Sequence, residues 1–238
     1  MKARDKLIVA LDFDAREKAV EMINSLEAEV DIYKVGLELF LASRGQVVDY
    51  LQQKGKKVFL DLKFMDIPNT VAGAAREAAK MGVFMFNVHV PGGLQMMVSA
   101  REAVEQVVSG EQTRPLLIGV TVLTSLDQHD LRQLGIVQDL NDLVITRATL
   151  AREAGLDGVV ASPKEARAIS EACGSEFLTV CPGVRPVWAA AGDQKRILTP
   201  KDAIAQGASF LVVGRPITGS PDPAEAARKV LAEMEEGF

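Results

Sequence analysis

The sequence predicts an α/β protein built as a single (β/α)8 (TIM) barrel domain that extends over residues 1–238. Eight short apolar segments alternate along the chain with longer segments of helical periodicity. The apolar segments are nearly continuous, as expected for parallel strands that helices cover on the outside. No linker, low-complexity tract or block of like charge divides the chain. We expect the active site at the carboxyl ends of the strands, where such barrels carry their chemistry.

The predicted strands are short runs rich in Val, Ile, Leu and Phe, bounded by glycine, proline or charged residues. The first strand ends in Asp12, and Pro91 stops the fourth. The seventh strand is ended by Pro182 and Gly183. The predicted strands are 6–12, 31–36, 58–63, 84–90, 115–123, 158–162, 177–181 and 209–214.

The predicted helices follow the strands and have apolar residues at helical spacing. Pro68 and Pro163 fit the first turns of two of them, where the missing N–H of proline costs nothing. A polar loop follows the fifth strand, and a long loop, 183–196, follows the seventh. The predicted helices are 15–26, 39–54, 70–81, 94–108, 140–154, 164–173 and 222–236.

A doubly wound open sheet is the competing fold for alternating strands and helices. Its dinucleotide-binding form carries a Gly-x-Gly-x-x-Gly motif directly after the first strand. This chain has no such motif there, and the number of strands matches a closed barrel. We therefore favour the barrel.

Composition excludes several classes of function. The net charge is −5 and no basic run is present, so nucleic acid is not an expected partner. The apolar run Leu7–Leu11 is too short for a signal peptide or a membrane span, which predicts a cytoplasmic protein without membrane contact. Cys173 and Cys181 make no metal-ligand pattern and should stay reduced. Two histidines exclude a histidine-rich metal site, although not a carboxylate-bound Mg²⁺.

The third strand carries the strongest functional signal. Asp61 and Lys63 interrupt an apolar run and, two residues apart, must point to the same face of the strand. Opposite charges on such a face are costly to desolvate. Asp66 follows where the strand should have ended. The resulting Asp-x-Lys-x-x-Asp cluster indicates catalysis, and the alternative is a structural ion pair between Asp61 and Lys63.

Polar residues close nearly every predicted strand. In a barrel the carboxyl ends of the strands form one mouth, so these residues should converge on one pocket. Any single member could be a helix cap or a rim charge. The set consists of Asp12, Lys34, Asp61 with Lys63, His89, Thr124 with Ser125, Ser162, and Arg215.

The last quarter of the chain predicts a phosphate site. Gly214 and Arg215 end the eighth strand, and phosphate groups in these barrels often bind after strands seven and eight. A backbone N–H near Gly214 can approach an anion closely, and Arg215 can pair with it through two hydrogen bonds. The long loop contains Arg185 and Gln194 and could close over substrate as a lid. The alternative is a tight turn beside a surface arginine.

Six segments, in order from the first strand to the last, resemble the orotidine 5′-phosphate decarboxylase family in its bacterial-type branch. They are 10–12 (ALD), 33–36 (YKVG), 61–70 (DLKFMDIPNT), 123–125 (LTS), 181–186 (CPGVRP) and 213–217 (VGRPI). Two positions depart from the family pattern. Met65 stands where many members have His, so we assign it no catalytic role. Cys181 stands where Thr is frequent, and should change little if it packs as a small buried residue.

The resemblance implies a reaction that removes CO₂ from C6 of the pyrimidine and then protonates C6, without a metal or an organic cofactor. It gives Lys63 the role of proton donor. Lys34, Asp61, Lys63 and Asp66 would form an alternating charge array that is in place before the substrate binds, and an aspartate would face the leaving carboxylate. A fixed cation is the available means of stabilising a carbanion that has no adjacent carbonyl group.

The resemblance also implies the contacts to the substrate orotidine 5′-phosphate and the product UMP. Asp12 and Lys34 would hold the ribose hydroxyls, and Thr124 would line the base end of the site. The phosphate would be bound by Arg185, Gln194, Gly214 and Arg215. His89 would have a structural role.

In the family, residues that follow the third strand reach across a two-fold interface. Asp66, Ile67 and Thr70 would therefore complete the partner's pocket, which predicts a homodimer with two shared active sites.

Two other functions remain open. A sugar-phosphate decarboxylase or lyase of the same barrel superfamily shares the Asp-x-Lys-x-x-Asp signature but uses Mg²⁺. A non-catalytic barrel that binds UMP is the second. The segment 67–70 and the Pro-Gly-Val-Arg-Pro segment favour the pyrimidine enzyme over the first, and the intact charge cluster argues against the second.

Overall fold

The computed structural model describes residues 2–107, 113–189 and 198–238. Its centre is a closed barrel of eight parallel strands that pair in chain order, with the first strand also pairing with the last. This confirms the predicted (β/α)8 fold. The strands are β1 Leu7–Leu11, β2 Ile32–Gly36, β3 Lys57–Phe64, β4 Met85–His89, β5 Leu116–Val120, β6 Gly158–Val160, β7 Leu178–Cys181 and β8 Phe210–Val213.

Helices surround the barrel, and none of those described is long and apolar enough to cross a lipid bilayer. Short 3-10 turns lie at Ala3–Asp5, Val90–Gly92 and Pro163–Glu165. The α-helices are α1 Arg16–Ser25, α2 Leu37–Ala42, α3 Gln46–Gln53, α4 Pro68–Lys80, α5 Leu94–Val107, α6 Gln128–Gln133, α7 Leu140–Glu153, α8 Ala166–Cys173, α9 Pro200–Ala205, α10 Arg215–Thr218 and α11 Pro223–Glu235.

The prediction of one continuous helix over 39–54 is wrong. The chain forms α2 and α3 instead, separated by a break at residues 43–45. Arg44 and Gly45 have φ values of 50° and 77°, in the left-handed region that no right-handed helix can accommodate. Val108, the last residue of the predicted helix 94–108, lies outside the described residues.

Three short helices were not predicted: α6, α9 and α10. Each has six residues or fewer, too few for a helical period to stand out from the sequence. For α6 and α9, the capping residues at the helix starts were the available sequence signal. The side chain of Asp127 accepts hydrogen bonds from two backbone N–H groups at the start of α6, and Thr199 accepts one at the start of α9.

The side chains of each strand alternate between two apolar layers. Leu7, Val9 and Leu11 pack outward against the helices, whereas Ile8 and Ala10 point into the barrel. The same alternation in the other strands fills the lower barrel with Ile32, Phe59, Met85, Ile118, Val180, Phe210 and Val212. Polar residues one or two positions further along the inward face therefore emerge at the carboxyl-terminal mouth.

Candidate active site

A cavity of about 410 Å³ opens at the carboxyl ends of the strands. One side is charged and is formed by β1, β2 and β3 with Asp12, Lys34, Asp61 and Lys63. The apolar part of the lining comes from β5 to β8 and the segment after β5, and consists of Val120, Val122, Leu123, Val160, Val180 and Val212. Arg185, Gly214 and Arg215 lie at the cavity as well, so it brings together most of the predicted site residues.

The charged side is a chain of ion pairs with alternating sign. Lys34 Nζ lies 2.9 Å from a carboxylate oxygen of Asp12 and 3.4 Å from one of Asp61. Lys63 Nζ lies 2.7 Å from the other carboxylate oxygen of Asp61. The side chains of Lys34 and Asp61 are only 12% and 11% exposed, whereas that of Lys63 is 28% exposed. Two of these charges are thus nearly buried, and Lys63 is accessible from the cavity.

Lys34 reaches both carboxylates because of the glycine that ends its strand. In the barrel, Lys34 and Phe59 are paired residues of β2 and β3, as are Gly36 and Asp61. A Cβ atom on Gly36 would lie 3.0 Å from Lys34 Nζ and 3.6 Å from Asp12 Oδ1. The absence of a side chain at residue 36 therefore leaves space for the ion pair between β1 and β2.

The charge chain fixes the ionisation of its buried members. Burial opposes ionisation of Asp61, but the ammonium groups of Lys34 and Lys63 outweigh it, and the pKa of Asp61 lies below its ordinary value. Burial likewise disfavours the charged form of Lys34, but Asp61 and Asp12 outweigh it and raise its pKa. Both groups are charged at neutral pH.

The end of β3 departs from regular strand geometry. Its register against β4 shifts between Leu60 and Phe64, and Lys63 has a φ of 52°. A non-glycine residue in this left-handed region costs free energy, and such strain tends to occur at functional sites. The backbone N–H of Lys63 donates to Asn87 Oδ1 at 2.8 Å, and Asn87 Nδ2 donates to Asp61 Oδ1 at 2.7 Å.

Sequence reasoning missed Asn87. The available signal was a lone amide in the apolar run of β4, on the same inward face as Met85. Asn87 is 1% exposed, and a buried amide of this kind needs hydrogen-bond partners.

Two arginines, Arg185 and Arg215, follow β7 and β8 at the mouth of the cavity. Both residues line the cavity. Burial lowers the pKa of Arg185, and the positive charge of Arg215 lowers it further. The backbone N–H of Arg185 donates to the carbonyl of Leu198 at 2.9 Å, joining the two ends of the long loop. The predicted lid residue Gln194 lies outside the described residues.

The residues predicted to serve a partner chain do not line the cavity of their own chain. Asp66 and Thr70 are exposed, and Ile67 is 66% exposed. The backbone N–H of Ile67 donates to the carboxylate of Asp66 at 2.6 Å. Within one described chain, Asp12 rather than Asp66 stands beside Lys34, Asp61 and Lys63.

The other predicted mouth residues differ in their surroundings. Thr124 is buried and lines the cavity, whereas Ser125 is exposed and does not. Ser162 is buried, and its side chain caps the turn Pro163–Glu165. His89 is half-buried, and burial, followed by the charges of Lys63 and Arg147, lowers its pKa.

The two departures from the family pattern lie in different environments. Cys181 is fully buried in β7, where burial raises the pKa of its thiol, so it packs as a small core residue. Met65 is 55% exposed and does not line the cavity of its own chain. Among the described residues, no group of three or more His, Cys, Asp or Glu side chains is placed to hold a metal ion.

The fold and the site define a (β/α)8-barrel protein whose mouth carries a largely buried charge array on β1 to β3 and two arginines after β7 and β8. Comparison with known proteins gives the family. The model of the "Orotidine 5'-phosphate decarboxylase / HUMPS family" matches residues 5–230, and the chain belongs to this family.

Two relatives and one solved structure agree with this assignment. The chain is 51% identical to the orotidine 5′-phosphate decarboxylase of Moorella thermoacetica over 237 residues, which cover 99% of this chain and 94% of that protein. It is also 51% identical to that of Syntrophotalea carbinolica, over 98% of this chain and 96% of the relative. The crystal structure of the Lactobacillus acidophilus orotidine 5′-phosphate decarboxylase matches with a TM-score of 0.85 and 38% identity, covering 96% of this chain and 98% of that one.

Proposed function

We propose that this protein decarboxylates orotidine 5′-phosphate to UMP and CO₂, the last step of pyrimidine nucleotide synthesis, without a metal or an organic cofactor. Family membership supports the reaction. The observation that supports the proposal for this chain is the series of three ion pairs from Asp12 to Lys63 above the apolar core of the barrel. Simple ligand binding does not require two nearly buried, oppositely charged groups on adjacent strands.

The two sides of the cavity suit the two sides of the substrate. The planar base lies against the valines of the apolar side, with Thr124 at its end, so that C6 faces the charged side. Asp12 and Lys34 hold the ribose hydroxyls. Arg185, Gln194, Gly214 and Arg215 bind the phosphate, whose double negative charge matches two guanidinium groups.

The reaction then needs one bond to break and one to form. The bond between C6 and the carboxylate carbon breaks, CO₂ leaves, and the electron pair stays on C6. Lys63 Nζ donates a proton to C6 and becomes a neutral amine. Because the Lys63 side chain is 28% exposed, solvent water can return a proton to this amine. Asp61 keeps the ammonium in place before the substrate arrives, so little reorganisation is required as charge develops on C6.

The carboxylates of Asp61 and Asp66 would also raise the free energy of the bound substrate before the reaction. The substrate carboxylate would lie next to a carboxylate of the enzyme, and this repulsion is relieved when CO₂ departs. At an effective dielectric near 20, two unit charges about 4 Å apart interact by roughly 4 kcal/mol, so both the repulsion and the attraction to Lys63 are large enough to matter.

We also propose a homodimer in which Asp66, Ile67 and Thr70 complete the partner's site. Their exposure next to the mouth supports this arrangement. Exposed apolar side chains after β2, β3 and β4 extend the same region and would be covered in a dimer: Leu37, Leu41, Met65, Ile67 and Leu94. We further propose that residues 1–238 form one domain that works in the cytoplasm, in keeping with its two free, buried cysteines.

The test is to follow the absorbance of orotidine 5′-phosphate with purified protein in the presence of EDTA. We expect full activity with the chelator and none with the Lys63→Ala variant. Activity that requires added Mg²⁺ would instead favour a metal-dependent lyase of the same superfamily. Tight UMP binding without turnover would favour a nucleotide-binding barrel.

A further inference from the structure

Asn87 is a buried side chain that contacts both members of the Asp61–Lys63 pair. Its Oδ1 accepts the backbone N–H of Lys63 and its Nδ2 donates to the carboxylate of Asp61. The chemistry of the partners fixes the orientation of this amide: an N–H can only donate and a carboxylate can only accept. At 1% exposure, the side chain is shielded from solvent and does not line the cavity.

The backbone that Asn87 holds is the strained part of β3. Lys63 has a φ of 52°, and the ladder between β3 and β4 is out of register around it. In a regular ladder the N–H of Lys63 would pair with a strand carbonyl, but here it pairs with a side chain of the neighbouring strand. The amide thus replaces the missing ladder bond and stabilises the left-handed conformation.

We propose that Asn87 is a positioning residue for the decarboxylation. By holding the backbone of Lys63 and one oxygen of Asp61, it sets the direction in which the Lys63 ammonium enters the cavity. The proposal rests on the proposed function, because Lys63 must be the group that protonates C6. Asn87 itself touches neither the substrate nor the reacting atoms.

Two variants of Asn87 separate positioning from a purely structural role. Asn87→Leu has a similar shape and removes both hydrogen bonds, so kcat should fall about ten-fold or more while KM for orotidine 5′-phosphate changes little. Asn87→Asp keeps the acceptor for Lys63 N–H but places a second carboxyl group against Asp61. The two acids would share a proton, which should move the acid limb of the kcat–pH profile up by about one unit or more.

The charged groups around the new carboxyl are Lys34, Asp61 and Lys63. His89 lies two residues further along β4, and the charge of Arg147 acts on it. Of these, Asp61 faces Asn87 directly at 2.7 Å, so it should dominate the altered profile. Thr179→Val is the matched control. It also removes a buried polar group from the barrel, but in β7, and its kcat–pH profile should follow that of the wild type.

Three results decide the proposal. It is overturned if folded Asn87→Leu keeps kcat within about two-fold of wild type, or if the Asn87→Asp profile superimposes on the wild-type profile. If neither variant folds, the side-chain amide resonances of Asn87 in the wild-type protein decide it. They should shift as Asp61 titrates, and resonances that do not move would contradict the contact. If the wild-type protein did not turn over orotidine 5′-phosphate, the proposed function would be wrong. The resonance measurement would still show whether Asn87 contacts Asp61.

Discussion

The ammonium of Lys63 lies 2.7 Å from the carboxylate of Asp61, two residues earlier in the same strand. Residues on one face of a regular strand are about 7 Å apart, a separation that the long lysine side chain can span. The backbone at Lys63 is nevertheless irregular, with a left-handed φ of 52° and a register shift at the end of β3. The strain is therefore located at the residue that places a cation in the cavity.

Replacement of Lys63 by alanine should abolish decarboxylation while leaving the barrel folded. The side chain is partly exposed at the mouth, so its loss opens no cavity in the core. We expect turnover to fall below detection and UMP to bind within about ten-fold of wild type, since the phosphate and ribose contacts remain. Single-turnover kinetics and UMP titration measure the two quantities. Turnover close to that of wild type would contradict the role of Lys63.

Lys63→Gly is the matched control for the backbone. Glycine adopts a positive φ without steric cost, whereas alanine does not. We expect both variants to be inactive, with the glycine variant about 0.5–1 kcal/mol more stable than the alanine variant in urea unfolding. Equal stabilities would show that the strain at residue 63 is negligible.

The fold was predictable from the sequence because the signals that define it are long-range and repeated. Eight apolar runs alternating with helical segments leave few arrangements, and inward alternation places Asp12, Lys34, Asp61 and Lys63 at one mouth. The break within 39–54 and the helices α6, α9 and α10 were not predictable from periodicity, because each depends on a few backbone angles or caps. The role of Asn87 depends on the register of β3 against β4. The pattern of apolar and polar residues along the sequence does not determine that register.

Acid should destabilise the protein partly through Asp61. Its folded pKa lies below its ordinary value of 3.8, so the stability that its ionised form contributes is present above that pH and is lost as pH falls through the lower folded pKa. Asp61→Asn leaves Lys34 and Lys63 without their shared carboxylate and should cost about 3–5 kcal/mol at neutral pH. The difference in the free energy of unfolding between wild type and Asp61→Asn should therefore become smaller below about pH 4.

Urea unfolding of both proteins at neutral pH and at a series of acidic pH values measures this difference. Glu77→Gln is the control, because its exposed ion pair with Lys80 lies on α4, away from the cavity, and should contribute little at any pH. A difference between wild type and Asp61→Asn that stays constant into the acid range would show that Asp61 does not titrate with a lowered pKa.

Loss of Arg215 should weaken binding through the phosphate. Arg185 and Arg215 are close enough for their charges to interact, so removing one leaves a single guanidinium for the dianion. We expect Arg215→Ala to raise KM about 10–100-fold. Turnover of orotidine, which lacks the phosphate, should change much less. Exposed Arg167 on α8 provides the matched control, and Arg167→Ala should leave KM unchanged. Unaltered kinetics in Arg215→Ala would refute the phosphate site.

Hybrid dimers test whether active sites are shared between subunits. Lys63→Ala and Asp66→Ala should each be inactive alone, because each removes one residue from both sites of a symmetric dimer. If Asp66 serves the partner, a mixed dimer has one site with both defects and one with neither. A fully exchanged equal mixture should then recover about a quarter of wild-type activity, since half of the dimers are mixed and each has one intact site.

Subunit exchange must be demonstrated separately, for example by mass spectrometry of differently tagged chains. Exposure of Asp66, Ile67 and Thr70 outside the cavity of their own chain is what makes recovery the expected result. If Asp66 acted on its own subunit, every site in every dimer would carry one defect or the other, and mixing would restore nothing. No recovery despite proven exchange would therefore place Asp66 in its own chain's site, or outside the catalytic machinery altogether.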